Sequence, residues 1–510
     1  MNPRLILSTV AAGVLSAVIA AQTTEAVRID TVVVIFAENR SFDGLYGAFP
    51  GANGLRRVSP GGATQRDRDG SVLKELPPIW NGLTAPGVTP AITQSQTEHL
   101  PNAPFAIDAA KGFHLPASVI THDLWHRFYQ NQMQIHGGRN DRFVAYADSG
   151  ALVMGHYDGS ALPMWTIARE YTLADNFFMG AFGGSFLNHI FLVCACVPVY
   201  PHADESPAKG LIAAVNPDRV SLTLAAESPK SAMDGIPRFV KDGNLTPDFF
   251  AVNTMYPPYQ PSPNPPAPGG NPDSADPTVA TTLPPQDAQT IGDLLSAKGV
   301  DWAWYSGAWR ATLDGPRTVP VPNFQYHHQP FNYFASTAPG TSARTAHLKD
   351  GGLGGVAFIK AIDAGALPPV AFYKPQGNLN EHAGYTDVLS GDQHIADVVG
   401  HLQKGPQWAH MLIVVTYDEN GGIWDHVAPP RGDRWGPGSR IPAIIVSPFA
   451  RRGFVDHTMY DTTSILRFLT KRFGLPTLPG LITRDRAFAA RGARGPGDLT
   501  PALVGALASR

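Results

Sequence analysis

Four stretches of the chain are apolar at nearly every position instead of at every second one. They are residues 29–36, 369–373, 411–417 and 441–447. Val32-Val33-Val34-Ile35-Phe36 and Leu412-Ile413-Val414-Val415 are their most continuous parts. Unbroken β-branched runs of this length predict strands buried on both faces, as in a parallel sheet. Helical periodicity occupies residues 390–404, before the 411–417 strand, and 462–473, after the 441–447 strand. Strand, helix, strand order predicts an α/β fold with a mostly parallel central sheet flanked by helices. Ligands in such folds sit beyond the carboxyl ends of the strands, so polar clusters there are where chemistry is expected.

Composition adds the loops. Of 510 residues, 51 are Gly and 47 Pro, while only 16% are charged. That predicts long ordered connections and excludes a helical bundle. The stretch 257–286, PPYQPSPNPPAPGGNPDSADPTVATTLPPQ, is too Pro-rich for packed secondary structure. It reads as a long surface loop inserted into a single domain spanning residues 27–510. Net charge is −3. No basic face is implied, and nucleic acid is not expected as a partner. At the start, Arg4 precedes an apolar run over residues 5–20 that ends in small residues. This is the pattern of a signal peptide over residues 1–20, with a periplasmic or secreted mature protein. The run is shorter than the roughly twenty residues a spanning helix needs, so no stable transmembrane anchor is expected. Cys194 and Cys196 are too close in sequence for an easy mutual disulfide and are expected as two buried thiols.

Two of the strands end in acids. Ala37-Glu38-Asn39-Arg40-Ser41-Phe42-Asp43 follows the first strand, and Asp418-Glu419-Asn420-Gly421-Gly422 follows the 411–417 strand. Either is, alone, a polar turn. Adjacent carboxylates after a buried strand repel one another and lose hydration, and a shared cation relieves both costs. The two glycines would let the backbone turn closely beside it. Asp425-His426 adds another carboxylate and an imidazole. Gly183-Gly184-Ser185 reads either as a turn presenting a hydroxyl at a helix N-terminus or as a plain helix cap. It is not a Gly-x-Ser-x-Gly elbow, so an esterase triad is not supported. The histidines His122, His126, His136, His327, His328 and His382 could donate to phosphate or protonate a leaving group. His122 and His126 are spaced to share a helix face.

Together these segments resemble the bacterial phosphoesterase family that contains acid phosphatase A and the phospholipases C. The match rests on Glu38 through Asp43 and on Thr416 through Val427. Between these lie Asp123-Leu124-Trp125-His126 with His136-Gly137-Gly138, Asp175-Asn176-Phe177-Phe178 with Gly183-Gly184-Ser185, His327-His328-Gln329-Pro330-Phe331, and Glu381-His382, all in the family's order. It runs from about residue 29 to about 475. The resemblance implies an alkaline-phosphatase-like α/β core with long loop insertions and one divalent metal ion. It implies Glu38, Asn39, Asp418 and Glu419 as metal ligands and Ser185 as the nucleophile touching the metal. His126, His327, His328 and His382 would contact phosphate or move protons. Asp425 and His122 are neighbours that offer alternatives to Glu419 and His126. A serine in the nucleophile position is closer to the acid phosphatase branch. The function implied is hydrolysis of phosphate monoesters, and imidazoles titrating near pH 6.5 would suit an acidic optimum. The alternative is a phospholipase C acting at phospholipid head groups, for which Trp302, Trp304, Tyr305, Phe324, Phe331 and Tyr333 could form an apolar rim, although core packing is the commoner role of such aromatics. A non-catalytic binding protein on the same fold is the alternative of another class.

Overall fold

The computed structural model describes residues 28–315, 324–505 and 507. The signal-peptide segment lies outside the described residues. The four apolar runs all enter one eight-stranded sheet. Its strands in chain order are β1 (Thr31–Ala37), β2 (Thr172–Ala174), β3 (Trp302–Gly307), β4 (Leu348–Gly352), β5 (Val370–Lys374), β6 (Met411–Tyr417), β7 (Ala443–Val446) and β8 (Phe454–Asp456), and across the sheet they lie in the order β8-β2-β7-β6-β1-β5-β3-β4. β1 is central, pairing in parallel with β5 and with β6, so that Val33 stands between Ala371 and Ile413. Every residue of β1, β5 and β6 is buried, which explains why these strands are apolar throughout. The expected α/β class is therefore present. One detail differs: β7, expected to run with the others, is antiparallel to both β6 and β2. The connection from β6 to β7, residues 418–442, contains no helix, and a parallel return would normally use a crossover helix.

Helices cover both faces. On one face, Tyr305 and Tyr373 pack on Phe358 of helix Val356–Asp363, and Tyr373 bonds His394 of helix Val388–Lys404. Asp387 caps the latter helix, accepting from Ser390 N, and Ile395, Val398, Val399 and Leu402 form its buried stripe. On the other face, Phe36 and Trp304 meet His189 of helix Ser185–Cys194. Helix Thr463–Phe473 packs beside that helix and ends at Gly474 in the left-handed region.

Three expectations need correction here. Cys194 and Cys196 are disulfide-bonded. Ala195 takes a left-handed conformation (φ 49°) at the helix end and turns the chain back, bringing the two Cα atoms to 5.1 Å. Trp302, Trp304, Tyr305, Phe324, Phe331 and Tyr333 are all buried, three of them inside β3, and make no rim. Residues 122–127 are extended loop; the helix begins at Phe128, so His122 and His126 share no helix face. The Pro-rich stretch has no helix or strand, as expected, yet it is anchored. Asn332 donates to the carbonyls of Tyr259 and Pro261, and Arg344 to that of Gln260. Among the described residues no helix is long and apolar enough to cross a membrane.

One buried acid on the face opposite the helix Ser185–Cys194 makes stability depend on pH. Asp392 Oδ1 accepts from Met164 N at 2.9 Å, Oδ2 has no partner, and burial pushes the carboxyl up to about 7. A raised acid contributes stability below its unfolded value near 3.9, and that contribution is lost as pH climbs through about 7. Asp392→Asn keeps the acceptor and should be more stable than wild type at pH 8, by up to about 4 kcal/mol. At pH 4 the two should match. Thermal unfolding at both pH values checks this; an equal difference at both would contradict it.

Candidate active site

Three neighbouring strands deliver charge to one place. Glu38 and Asn39 follow β1, Asp418 and Glu419 follow β6, and Lys374 ends β5. All five are essentially inaccessible to solvent. Asn39 adopts a left-handed conformation (φ 59°) that turns its amide among the acids. One end of its side-chain amide lies 3.2 Å from Asp418 Oδ1 and 2.8 Å from Glu419 Oε1, and the other end lies 2.7 Å from His382 Nε2. Ser185 Oγ lies 3.3 Å from the same amide, next to Asp418. Thus the five residues expected around a metal come together at the strand ends, linked through Asn39.

Ser185 is the first residue of its helix. Gly184 precedes it and supplies no side-chain cap, which leaves the first N–H groups of the helix without one. Gly184 also sits against His126: a Cβ there would lie 2.5 Å from the His126 carbonyl oxygen. The hydroxyl faces a cavity of about 290 Å³ whose wall includes Glu38, His126, Arg127, His327, His382 and Tyr385. His126 Nε2 is 3.8 Å from Glu419 Oε1, and its Nδ1 donates to the Leu124 carbonyl at 2.6 Å. His382 stacks on Tyr385 with ring centroids 4.3 Å apart. Of the four expected histidines, His126, His327 and His382 line the cavity. His328 does not: it is 1% exposed and lies behind Glu38, with Nε2 against Glu38 Oε1.

The electrostatics follow from burial and from these neighbours. Burial raises Asp418 to about 6, aided by the charge of Glu38. Burial also raises Glu419 well above the usual carboxylate range, against the pull of His126. Glu38 goes the other way, since Lys374 and His328 outweigh its burial and hold it well below that range. Burial pushes His126 down, but Glu419, Asp123 and Asp418 overcome it and bring the ring up to about 9. His327 and His382 are lowered by burial, and His328 falls to about 4. All four are shifted from their ordinary value, His126 upward and the other three downward, so the expected acidic optimum does not follow from unperturbed imidazoles.

The donor set fits a divalent cation. Asp418 Oδ2 is buried without any hydrogen-bond partner, and the Asn39 amide lies between the carboxylates of Asp418 and Glu419. Ligand-type atoms lie within 4.8 Å of one another in the groups Glu38–His189–His328, Asp123–His126–His382 and Asp43–Asp425–His426. The third group is already neutralised. Arg440 is buried with Nε 3.0 Å from Asp425 and NH2 3.0 Å from Asp43. Asp425 therefore belongs to a clamp between the two acidic loops and is no substitute for Glu419. His136 is also elsewhere, capping helix Phe128–Ile135 and bonding Asp141 at 2.6 Å.

Two residues escaped the reading of the sequence. Lys374 directly follows the apolar run of β5, the same signal that marked Glu38 and Asp418. His189 is one turn after Ser185, fully buried, with Nδ1 donating to the Ser185 carbonyl (2.8 Å) and 3.7 Å from Asp418 Oδ2. Its position in an otherwise apolar helix gave no such signal.

A mostly parallel α/β sheet with a serine at a helix N-terminus beside clustered carboxylates is an arrangement suited to ester cleavage. The chain belongs to the Phosphoesterase family, which it matches over residues 29–476, and it is a hydrolase acting on phosphoric ester bonds. It is similar to phospholipase C A of Mycobacterium tuberculosis, with 22% identity over 88% of this chain and 73% of the relative. It is also similar to the non-hemolytic phospholipase C of Pseudomonas aeruginosa, with 25% identity over 36% of this chain and 30% of the relative. A solved protein in the alkaline phosphatase superfamily from Vibrio parahaemolyticus is 10% identical, over 64% of this chain and 63% of that one, at a TM-score of 0.32.

Gly421 tests how tightly the acidic loop is built. It has φ +61°, and a Cβ there would lie 2.7 Å from the Asn39 carbonyl oxygen and 2.9 Å from the Asn39 Cβ. Gly421→Ala should displace Asn39 and lower kcat/KM at least about tenfold, the equivalent of ~1.4 kcal/mol. Wild-type kinetics in this variant would show that the contact does not matter to the site.

Proposed function

We propose that the protein is an exported phosphatase of the acid phosphatase type, hydrolysing phosphate monoesters through Ser185. The observation that carries this is the placement of the Ser185 hydroxyl on the floor of the cavity, at an uncapped helix N-terminus and against Asn39 and Asp418. Glu38, Asn39, Asp418 and Glu419 would hold one divalent ion, with Ser185 adjoining. When bound, such an ion supplies a lowered pKa for the serine hydroxyl and positive charge for a phosphate oxygen.

The chain's own residues account for the rest. Ser185 Oγ gives up its proton to solvent and attacks phosphorus, forming the Oγ–P bond as the bond to the leaving oxygen breaks. The helix N–H groups and His327 face the equatorial oxygens and hold the charge that develops there. The leaving alkoxide takes a proton from His126, the cavity histidine that its carboxylate neighbours keep protonated. Water then attacks phosphorus, passing a proton to His126 and breaking the Oγ–P bond. Ser185 takes a proton back from solvent and inorganic phosphate departs. Export is supported by the signal pattern and by the Cys194–Cys196 disulfide, a bond that persists in oxidising compartments.

A second reading, phospholipase C, is favoured by the relatives' names. The cavity wall favours the monoester, since Arg127, Asn253, Thr254 and Gln325 are polar and the expected aromatic rim is in the core.

Hydrolysis of p-nitrophenyl phosphate and p-nitrophenylphosphorylcholine, from pH 4 to 8 with and without chelator, separates the two. The monoester should be preferred, chelator should remove the activity, and Ser185→Ala should abolish it without unfolding the protein. Preference for the choline diester would favour the second reading, and an active Ser185→Ala would exclude the covalent route. His126→Ala should slow an alkyl phosphate by about 10²-fold or more while affecting p-nitrophenyl phosphate far less, because p-nitrophenolate leaves without a proton. Equal losses on both substrates would remove His126 from the acid role.

A further inference from the structure

We infer that Lys374 and His328 are positioning residues that hold one oxygen of Glu38 and so present the other, which accepts from the Tyr385 hydroxyl, toward the cavity as a ligand. This rests on the reading of Glu38 as a metal ligand. Glu38 Oε1 lies 2.7 Å from Lys374 Nζ and against His328 Nε2. Glu38 Oε2 faces the cavity side, 3.8 Å from His382 Nε2 and accepting from the Tyr385 hydroxyl at 3.3 Å. The two oxygens of one carboxylate therefore have separate surroundings, a buried cationic and imidazole pair behind and the cavity in front.

Both clamping groups are themselves fixed. Lys374 is wholly buried at the end of β5, lies over the Phe36 ring at 5.5 Å and donates to the Ala37 carbonyl at 3.4 Å. The His328 backbone is held by β3, because Trp304 Nε1 (2.7 Å) and Ser306 Oγ (2.8 Å) both donate to its carbonyl. Its ring stacks on His189 with centroids 5.4 Å apart. With Nε2 turned to the carboxylate, His328 is not available to a substrate in the cavity, which removes it from the phosphate-contacting role implied by the family resemblance. Glu38 is a single side chain on a turn, and a carboxylate free to rotate would present either oxygen or both. Partners that orient a ligating carboxylate in this way commonly contribute one to two orders of magnitude to metal affinity.

The test is the affinity of the full mature chain for Mn²⁺ and for Zn²⁺, measured by calorimetry after chelator treatment, with thermal unfolding of each metal-free variant as a check on folding. Lys374→Met and His328→Leu should each weaken binding by roughly 10–100-fold. His328→Gln, whose amide places an N–H donor near the position of Nε2, should bind close to wild type. A role in packing alone would reverse the order of the two His328 variants, since Leu fills the site without a polar atom. Should Lys374→Met fail to fold, the His328 pair decides. Weakened binding in Glu38→Gln with unchanged binding in Lys374→Met and His328→Leu would overturn the clamp while leaving the metal site intact. Absence of divalent binding in the wild type would instead overturn the reading of the site on which the clamp rests.

Discussion

Three carboxylates buried at the ends of adjacent strands are the constraint on which the rest of the site depends. Glu38, Asp418 and Glu419 have no access to water, and each raises the cost of ionising another. The structure answers with positive or donating partners on every side. Lys374 and His328 meet Glu38, His126 approaches Glu419, and the Asn39 amide stands between Asp418 and Glu419. What these partners leave unmatched, above all Asp418 Oδ2, is the place where a cation is needed.

The sheet makes this concentration of charge affordable in geometric terms. Parallel β1, β5 and β6 end at the same level, so three chain segments turn at one point, and each places its first polar side chain there. The helix Ser185–Cys194 meets that point with its N-terminus on the face shared by Phe36 and Trp304. Behind the site, Arg440 ties Asp43 to Asp425 and donates to the carbonyls of Asn53 and Asp175. The loops after β1 and β6 are thus fastened to each other away from the cavity, and the acids they carry hold their relation to Ser185.

Much of this was legible in the residues. The continuous apolar runs marked β1, β5 and β6, and the acids that follow two of them marked the site. β3 was harder, because Trp302-Ala303-Trp304-Tyr305 is as consistent with a ligand pocket as with a buried strand, and only the neighbouring β5 and the Phe358 side chain decide it. The direction of β7 depends on the connection, not on the composition of the strand. The partnership of Arg440 with Asp43, across nearly 400 residues, left no local trace. The disulfide was misjudged because it depends on one left-handed residue, Ala195, whose type does not announce that conformation. His328 was found but misplaced: a His-His pair does not show which ring faces the cavity.

The account turns on carboxylates that hold protons until a cation takes their place. Calorimetric titration of the metal-free protein with Mn²⁺ at pH 6, in buffers of different ionisation enthalpy, measures the protons released per ion bound. With Asp418 at about 6 and Glu419 raised well above the usual carboxylate range, the account predicts one bound ion and release of roughly one to two protons. Binding without proton release, equally tight at pH 5 and pH 8, would contradict it.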